Sequence, residues 1–286
     1  MPPVYTAHVT VRHDELDCFG RVHPAVYLRY LAHAAVEAST AAGYDAAWYT
    51  AAGTMWLVRR TTVELVCPVR AEERLAIRTW VEDFRRVRSH RRYAMYGADG
   101  RLCVEALTDW VYVDAATGRP RRVPAEVEAA FGVGRGRPRE RDAWDGPAPP
   151  AAPARATHRV RACEVDTVGH VNNAAYLDLM SQAVLDALAA AGWPLDRLVA
   201  SGGVPLLGRA DVEYRDGARY GDELEIATWF TPALRALDAH QRVSRAGAER
   251  SLVQATTRWH WAEPAAGARL DVPEAVLAAL HPVRAA

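Results

Sequence analysis

Residues 161–176 read RACEVDTVGHVNNAAY, and residues 12–27 read RHDELDCFGRVHPAVY. Laid over each other at an offset of 149 positions, the two stretches share Arg, Glu, Asp, Gly, Val, Ala and Tyr in one register. Carrying that offset without a gap from Arg12 to Ala130 matches about 37 of 119 positions, far above chance even for so alanine-rich a chain. Arg60, Val63 and Glu64 fall on Arg209, Val212 and Glu213. Leu75, Ile77, Thr79 and Trp80 fall on Leu224, Ile226, Thr228 and Trp229, and Val123-Pro124 falls on Val272-Pro273. The chain is a tandem duplication.

Each copy has one order of elements. An alternating strand opens it, VYTAHVTVR (4–12) or ATHRVRA (156–162). After a glycine-containing turn, apolar residues recur at helical spacing, through Tyr27, Leu28, Leu31, Ala34, Ala35, Ala38 and Ala42 in the first copy. In the second they are Tyr176, Leu177, Met180, Ala183, Val184, Ala187, Leu188 and Ala191. This spacing predicts an amphipathic helix of about five turns, closed at Gly43 or Gly192, whose small alanines admit a sheet at close range. Strands are expected near 55–66, 73–84, 89–98 and 102–114, with counterparts 149 residues later, then a short helix opening on proline, PAEVEAAF or PEAVLAAL. One helix followed by a run of strands is the α+β pattern of an antiparallel sheet laid on a helix.

The copies span residues 1–131 and 156–286. The segment 132–155 (GVGRGRPRERDAWDGPAPPAAPAR) has no apolar periodicity and reads as an extended linker. Basic and acidic residues balance at 35 each, every basic residue is arginine, and no apolar run reaches membrane-spanning length. Composition therefore gives no case for a nucleic-acid or membrane partner. Cys18, Cys67, Cys103 and Cys163 have neither metal-ligand nor disulfide-framework spacing, and the N-terminus lacks a signal-peptide pattern, so a cytoplasmic setting is expected. With no zinc-like cluster and no glycine-rich nucleotide loop, chemistry without metal or cofactor is expected.

The segment Asp166–Tyr176 resembles the D-x-x-G-H-V-N-N-x-x-Y signature of hotdog-fold thioesterases of the 4-hydroxybenzoyl-CoA thioesterase type. ARYGDELEI (218–226) and WVYVDAATGRPRRVP (110–124) also resemble that family, so the resemblance covers nearly everything but the linker. It implies a double hotdog, two units each with a long helix wrapped by an antiparallel sheet. It also implies active sites between the units at the starts of the long helices. Acyl-CoA or acyl-carrier-protein thioesters are the implied substrates, and the working form is a pseudo-dimeric monomer or a homo-oligomer.

The candidate catalytic residues that follow are Asp166, Asp17 and His170, the aspartate acting as general base on water or as nucleophile at the thioester carbonyl. Candidate substrate-binding residues are Gly169, Asn172, Asn173, Tyr176, Tyr27 and His23. Helix N-termini carry unpaired N–H groups that polarise a carbonyl oxygen, which makes the placement physically sensible. Plainer roles stand beside these. The aspartates suit a turn brace, His170 a loop-fixing donor, the asparagines a helix cap, and the tyrosines core positions. Glu37, paired with Asp186 at the repeat offset, is a second candidate carboxylate, while Glu64 and Glu213 read as structural.

The first copy departs from the signature, with Arg21, His23 and Pro24 where the second has His170, Asn172 and Asn173. The second departs from the plant-type acyl-carrier-protein thioesterases. Val168 stands where they have an asparagine, and Gly217 and Ala218 where they have acidic and cysteine residues. Alternative readings are a hotdog hydratase or dehydratase, a polyketide-processing enzyme, or a non-catalytic acyl-binding partner. The arginine run FRRVRSHRRY (84–93) would suit an acidic carrier or a phosphate, or serve only as a solvated face.

Overall fold

A computed structural model describes residues 3–133, 144–233, 235–265 and 267–280. The chain divides into two units, Met1–Ala143 and Trp144–Ala286. In unit 1, β1 (Tyr5–Thr10) leads to α1 (Pro24–Ala41) and a short α2 (Ala46–Ala52). Strands β2 (Thr54–Leu65), β3 (Arg74–Arg85), β4 (Arg88–Tyr96) and β5 (Leu102–Asp114) follow, then α3 (Ala125–Ala130). Unit 2 repeats this as β6 (Ala154–Arg159), α4 (Asn173–Ala190), α5 (Leu195–Ala200), β7 (Val204–Tyr214), β8 (Glu223–Ala233), β9 (Ala236–Arg245), β10 (Ser251–Ala262) and α6 (Glu274–Leu280). The strand order is β1-β3-β4-β5-β2 in unit 1 and β6-β8-β9-β10-β7 in unit 2, antiparallel throughout each.

The two long helices have 18 residues each, five turns, as their apolar spacing requires. Tyr27, Leu28, Leu31, Ala34, Ala35 and Ala38 are buried in unit 1, and Tyr176, Leu177, Met180, Ala183, Val184, Ala187 and Leu188 in unit 2. Gly43 and Gly192, both at positive φ, stand just past the helix ends. Ala42 and Ala191 are the C-caps rather than part of the apolar face.

The gapless offset needs correction at one strand. Thr79 pairs with Tyr93 whereas Thr228 pairs with Gln241, so β4 maps onto β9 by 148 residues and not 149. Glu82, an extra residue between Val81 and Asp83, makes the difference, and the connection from Ser244 to Ser251, one residue longer than that from Tyr96 to Leu102, restores the offset before β5 and β10. A bulge at Arg59 in β2 recurs at Gly208 in β7. The linker boundary also moves, because Ala154 and Arg155 already belong to β6; residues 134–143 of it lie outside the described residues. Short helices α2 and α5 were not expected.

The same polar arrangement of a tryptophan and a buried threonine appears in both sheets. Trp110 Nε1 donates to Thr108 Oγ1 at 2.6 Å, and Trp259 Nε1 donates to Thr257 Oγ1 at 2.9 Å. In unit 2, Gln241 Nε2 donates to the Met180 carbonyl at 2.8 Å, which fastens α4 to the sheet beneath it. Paired in this way, the buried groups stabilise rather than strain the core.

Glutamates tie the opening turn of each unit to its helix start. Glu15 and Glu164 accept the backbone N–H of Arg12 and Arg161 at 2.7 and 2.8 Å, and their own carbonyls accept from His23 and Asn172. Burial would raise the Glu164 carboxyl, but hydrogen bonds from Arg161 and His158 outweigh it and hold the group below its ordinary value. A lowered carboxylate stabilises the fold above its unfolded value, about 4.3, and that contribution is lost as pH falls through the folded value. The melting-temperature gap between wild type and Glu164→Gln should therefore be present at pH 7 and shrink below about pH 4. A gap independent of pH would show the carboxylate charge to be irrelevant.

Candidate active site

In unit 2 the chain leaves β6 through a 3-10 turn at Ala162–Glu164 and reverses at Asp166 before entering α4. The reversal is a closed hydrogen-bonded loop. Asp166 N–H donates to the His170 carbonyl and Gly169 N–H to the Asp166 carbonyl, both at 3.0 Å. Gly169 sits at φ +88°, a conformation that disfavours residues with a Cβ. This loop holds the Asp166 side chain half-buried, with Oδ1 accepting the Val168 N–H at 2.9 Å and Oδ2 accepting Asn172 Nδ2 at 3.4 Å. His170 Nδ1 lies 4.0 Å from Asp166 Oδ1.

Asn172 serves two neighbours, since its Oδ1 also caps α4 by accepting the Ala174 N–H at 3.0 Å. Ala175 N–H is taken by the Asn172 carbonyl. Of the first three N–H groups of α4, Asn173's is the one with no acceptor among the described residues, which leaves it for a bound oxygen. The Asn173 carbonyl accepts the Tyr214 hydroxyl at 3.2 Å. Tyr176 is buried, and its hydroxyl accepts the Ala218 N–H at 2.9 Å, fixing the loop before β8; burial pushes this phenol up to about 12.

Unit 1 builds the same turn from different groups. Asp17 Oδ1 accepts two backbone N–H groups, from Phe19 at 2.9 Å and Arg21 at 3.0 Å, and Gly20 takes the positive φ. His23 Nδ1 caps α1 by accepting the Ala25 N–H at 3.4 Å. Pro24 occupies the position of Asn173 and has no N–H to give. Arg21, where unit 2 has His170, is 6% exposed, and burial lowers its proton affinity while Asp17 acts in the other direction. Tyr27 is buried with its hydroxyl against the Val69 backbone, and burial raises it strongly.

The other carboxylates stand apart from these turns. Glu37 pairs with His33 on α1 at 3.2 Å, and Asp186 accepts Gln182 Nε2 on the exposed side of α4. Glu213 is buried and accepts Arg215 Nε, while its counterpart Glu64 is exposed. The arginine run is largely engaged within unit 1, as Arg85, Arg88 and Arg92 meet Asp83, Asp109 and Glu82. Among the described residues no three His, Cys, Asp or Glu side chains are grouped as metal ligands would be, and no helix is long and apolar enough to cross a membrane.

One contact was not visible from the motif alone. A Cβ at Gly217 would lie 2.6 Å from His170 Cβ and 2.8 Å from its Cγ, so only glycine allows the observed imidazole position. The Gly217 carbonyl accepts Arg245 Nη2 at 2.9 Å, and Arg245 Nε also holds Asp222. Gly217→Ala should therefore displace His170 and lower turnover by roughly 10-fold or more, the scale of a small misplacement at a reacting centre. Steady-state kinetics with a parallel melting curve check this; unchanged turnover in a folded variant would remove His170's position from the account.

Residues 2–131 match the family Acyl-ACP thioesterase N-terminal domain, and residues 160–280 match the Thioesterase-like superfamily. Each half of the chain thus matches a thioesterase family. It is 28% identical over 123 residues to the chloroplastic acyl-acyl carrier protein thioesterase ATL2 of Arabidopsis thaliana, a match that spans 43% of this chain and 65% of that protein. Across almost its whole length this double hotdog has the fold of a putative oleoyl thioesterase from Lactobacillus plantarum, with TM-score 0.78, 19% identity, and coverage of 91% and 95% of the two chains. A similar likeness holds to the 12:0-ACP thioesterase from Umbellularia californica, with TM-score 0.74, 16% identity, and coverage of 90% and 94%. In hotdog terms α1 and α4 are the two central helices, and the turns at Asp17 and Asp166 are the loops that lead into them.

Proposed function

We propose that this chain hydrolyses acyl thioesters, with the turn of unit 2 as its working site. The observation that carries the reading is the juxtaposition at the start of α4. A half-buried carboxylate, Asp166, is held by Val168 N–H and Asn172, and the N–H of Asn173, which has no acceptor among the described residues, stands at the first position of the helix. In the proposed reaction the thioester oxygen accepts from Asn173 N–H, which polarises the carbonyl as charge builds on oxygen. Asp166 removes a proton from water, the water oxygen bonds to the carbonyl carbon, and the C–S bond breaks. The thiol leaves with a proton returned from Asp166, or from His170 beside it. Attack by Asp166 itself is the alternative within the same geometry, and single turnover in ¹⁸O-water separates the two by whether the label enters the first-formed acid.

The carrier we infer is an acyl carrier protein, supported by the family match of residues 2–131; coenzyme A is the other arm of the test. A cytoplasmic setting is proposed on the same footing, supported by four free thiols. Since one chain supplies both units, a monomer is the working form proposed. The test is thiol release from matched acyl groups on both carriers. Turnover with either establishes hydrolysis, and a preference for the protein-borne group establishes the carrier. Tight acyl binding without turnover would instead identify an acyl-binding partner.

A further inference from the structure

Cys67 and Cys103, far apart in the chain, meet in the fold of unit 1. Just beyond β2, the N–H groups of Val66 and Cys67 both donate to the Cys103 carbonyl on β5, at 2.8 and 3.3 Å. Two residues thus oppose one, a bulge that makes Cys67 and Cys103 cross-strand neighbours. Opposite residues of an antiparallel pair have Cα atoms about 5 Å apart, inside the ~4.4–6.8 Å that a disulfide spans. Cys67 Sγ has the Leu102 carbonyl at 3.3 Å and Cys103 Sγ the Arg101 carbonyl at 3.6 Å. Each thiol is also within hydrogen-bonding reach of the other, and both are free. Cys67 is half-buried with the Arg101 guanidinium against it, whereas Cys103 is fully buried. Burial above all, with Cys67 adding to it, pushes the Cys103 thiol up to about 12.

Unit 2 shows that the bulge does not depend on sulfur. The N–H groups of Arg215 and Asp216 both donate to the Leu252 carbonyl, at 2.8 and 3.2 Å. The same bulge is therefore built with Asp216 and Leu252 at the two cysteine positions. The pair in unit 1 also has a definite place. Val69, two residues after Cys67, accepts the Val22 N–H of the Asp17 turn at 2.9 Å, and Tyr27 stands beside both thiols. Cys103 lies on β5, which is flanked by β4 and β2. A bond between the two sulfurs would fasten the loop under the start of α1 to the interior of the sheet.

We infer that Cys67 and Cys103 are a reversible thiol–disulfide site built into this bulge, closed by a peroxide and opened by a thiol reductant. Cys67, the reachable sulfur, takes one oxygen of the peroxide as the O–O bond breaks, giving a sulfenic acid and water. The Cys103 sulfur then bonds to the Cys67 sulfur, and the hydroxyl leaves with the Cys103 proton as a second water. Two thiols lose two electrons in all, and one hydrogen peroxide becomes two waters. In the cytoplasmic setting proposed above the pair rests as thiols. The inference stands apart from the thioesterase reading. Its test is hydrogen peroxide treatment of the folded full chain carrying Cys18→Ser and Cys163→Ser, read by non-reducing peptide mass spectrometry and melting curves. The peptides holding Cys67 and Cys103 should be linked within one chain, with loss of two hydrogens, and dithiothreitol should release them. Because the bond closes residues 67–103 into a loop, Tm should rise by roughly 5 °C or more and fall back on reduction. Cys103→Ala should stop at the sulfenic acid, which dimedone traps on Cys67, and Cys67→Ala should leave Cys103 a thiol. Cys67 oxidised to the sulfinic acid without linkage, while Cys103 is present and the chain folded, would overturn the inference. So would a linked pair that fails to raise Tm. If Cys103→Ala does not fold, the linkage and Cys67→Ala decide.

Discussion

Asn173→Pro should lower kcat by roughly 10²-fold or more while leaving the fold standing, because it removes one N–H from the proposed oxyanion site. Unit 1 already demonstrates that the exchange is tolerated, with Pro24 at the first position of α1. The preceding residues have nearly the same backbone, φ −61° and ψ 136° at His23 against φ −61° and ψ 141° at Asn172, and that extended conformation is the one a following proline demands. The Asn173 carbonyl that accepts Tyr214 survives the change. Asn173→Ala is the control, since it removes the side chain and keeps the N–H. If the proline variant turns over as fast as the alanine variant, the helix start is not where the carbonyl oxygen binds.

Asp166→Asn should cost a factor of roughly 10² to 10⁴, the scale of a lost general base. The substitution keeps the shape of the side chain and removes its charge and basicity. Val168 N–H can still donate to an amide oxygen, whereas the new amide group would face Asn172 Nδ2, donor to donor. Losing that one hydrogen bond in a half-buried turn should cost about 1 kcal/mol, too little to unfold the unit. The effect should fall on kcat, since the carboxylate acts on the water and not on the carrier. A loss confined to KM would assign Asp166 to binding.

Much of the fold was legible because duplication lets each half check the other. The apolar spacing of residues 24–41 recurs at 173–190, and neither copy alone would have fixed the helix length as firmly. What escaped was short or compensated. Helices α2 and α5 have seven and six residues, too few to show a period, although Asp45, which caps α2 through the Trp48 N–H, was a readable start signal. The extra residue at Glu82 is undone before β5, so a gapless comparison passes over it.

At the site, the Asp166 turn and the Asn172 cap follow from local chemistry, and Pro24 already told that the two helix starts differ. Gly217 could not be read this way, because its role comes from His170, 47 positions earlier, lying against it. Arg91, buried in unit 1, was hidden inside FRRVRSHRRY, which looks like a charged surface. Alternation places Arg91 on the side of Tyr93 and Met95 and apart from Arg88 and Arg92, a period-two signal that composition alone obscures.

The central claim is that one turn of the two does the chemistry, and the direct measurement is turnover of Asp166→Asn and Asp17→Asn on the same acyl thioester, each with its melting temperature. The account predicts that Asp166→Asn is nearly inactive and that Asp17→Asn retains most of its rate, with both melting within a few degrees of wild type. A dead Asp17→Asn beside an active Asp166→Asn would contradict it and move the working carboxylate to unit 1, next to Arg21.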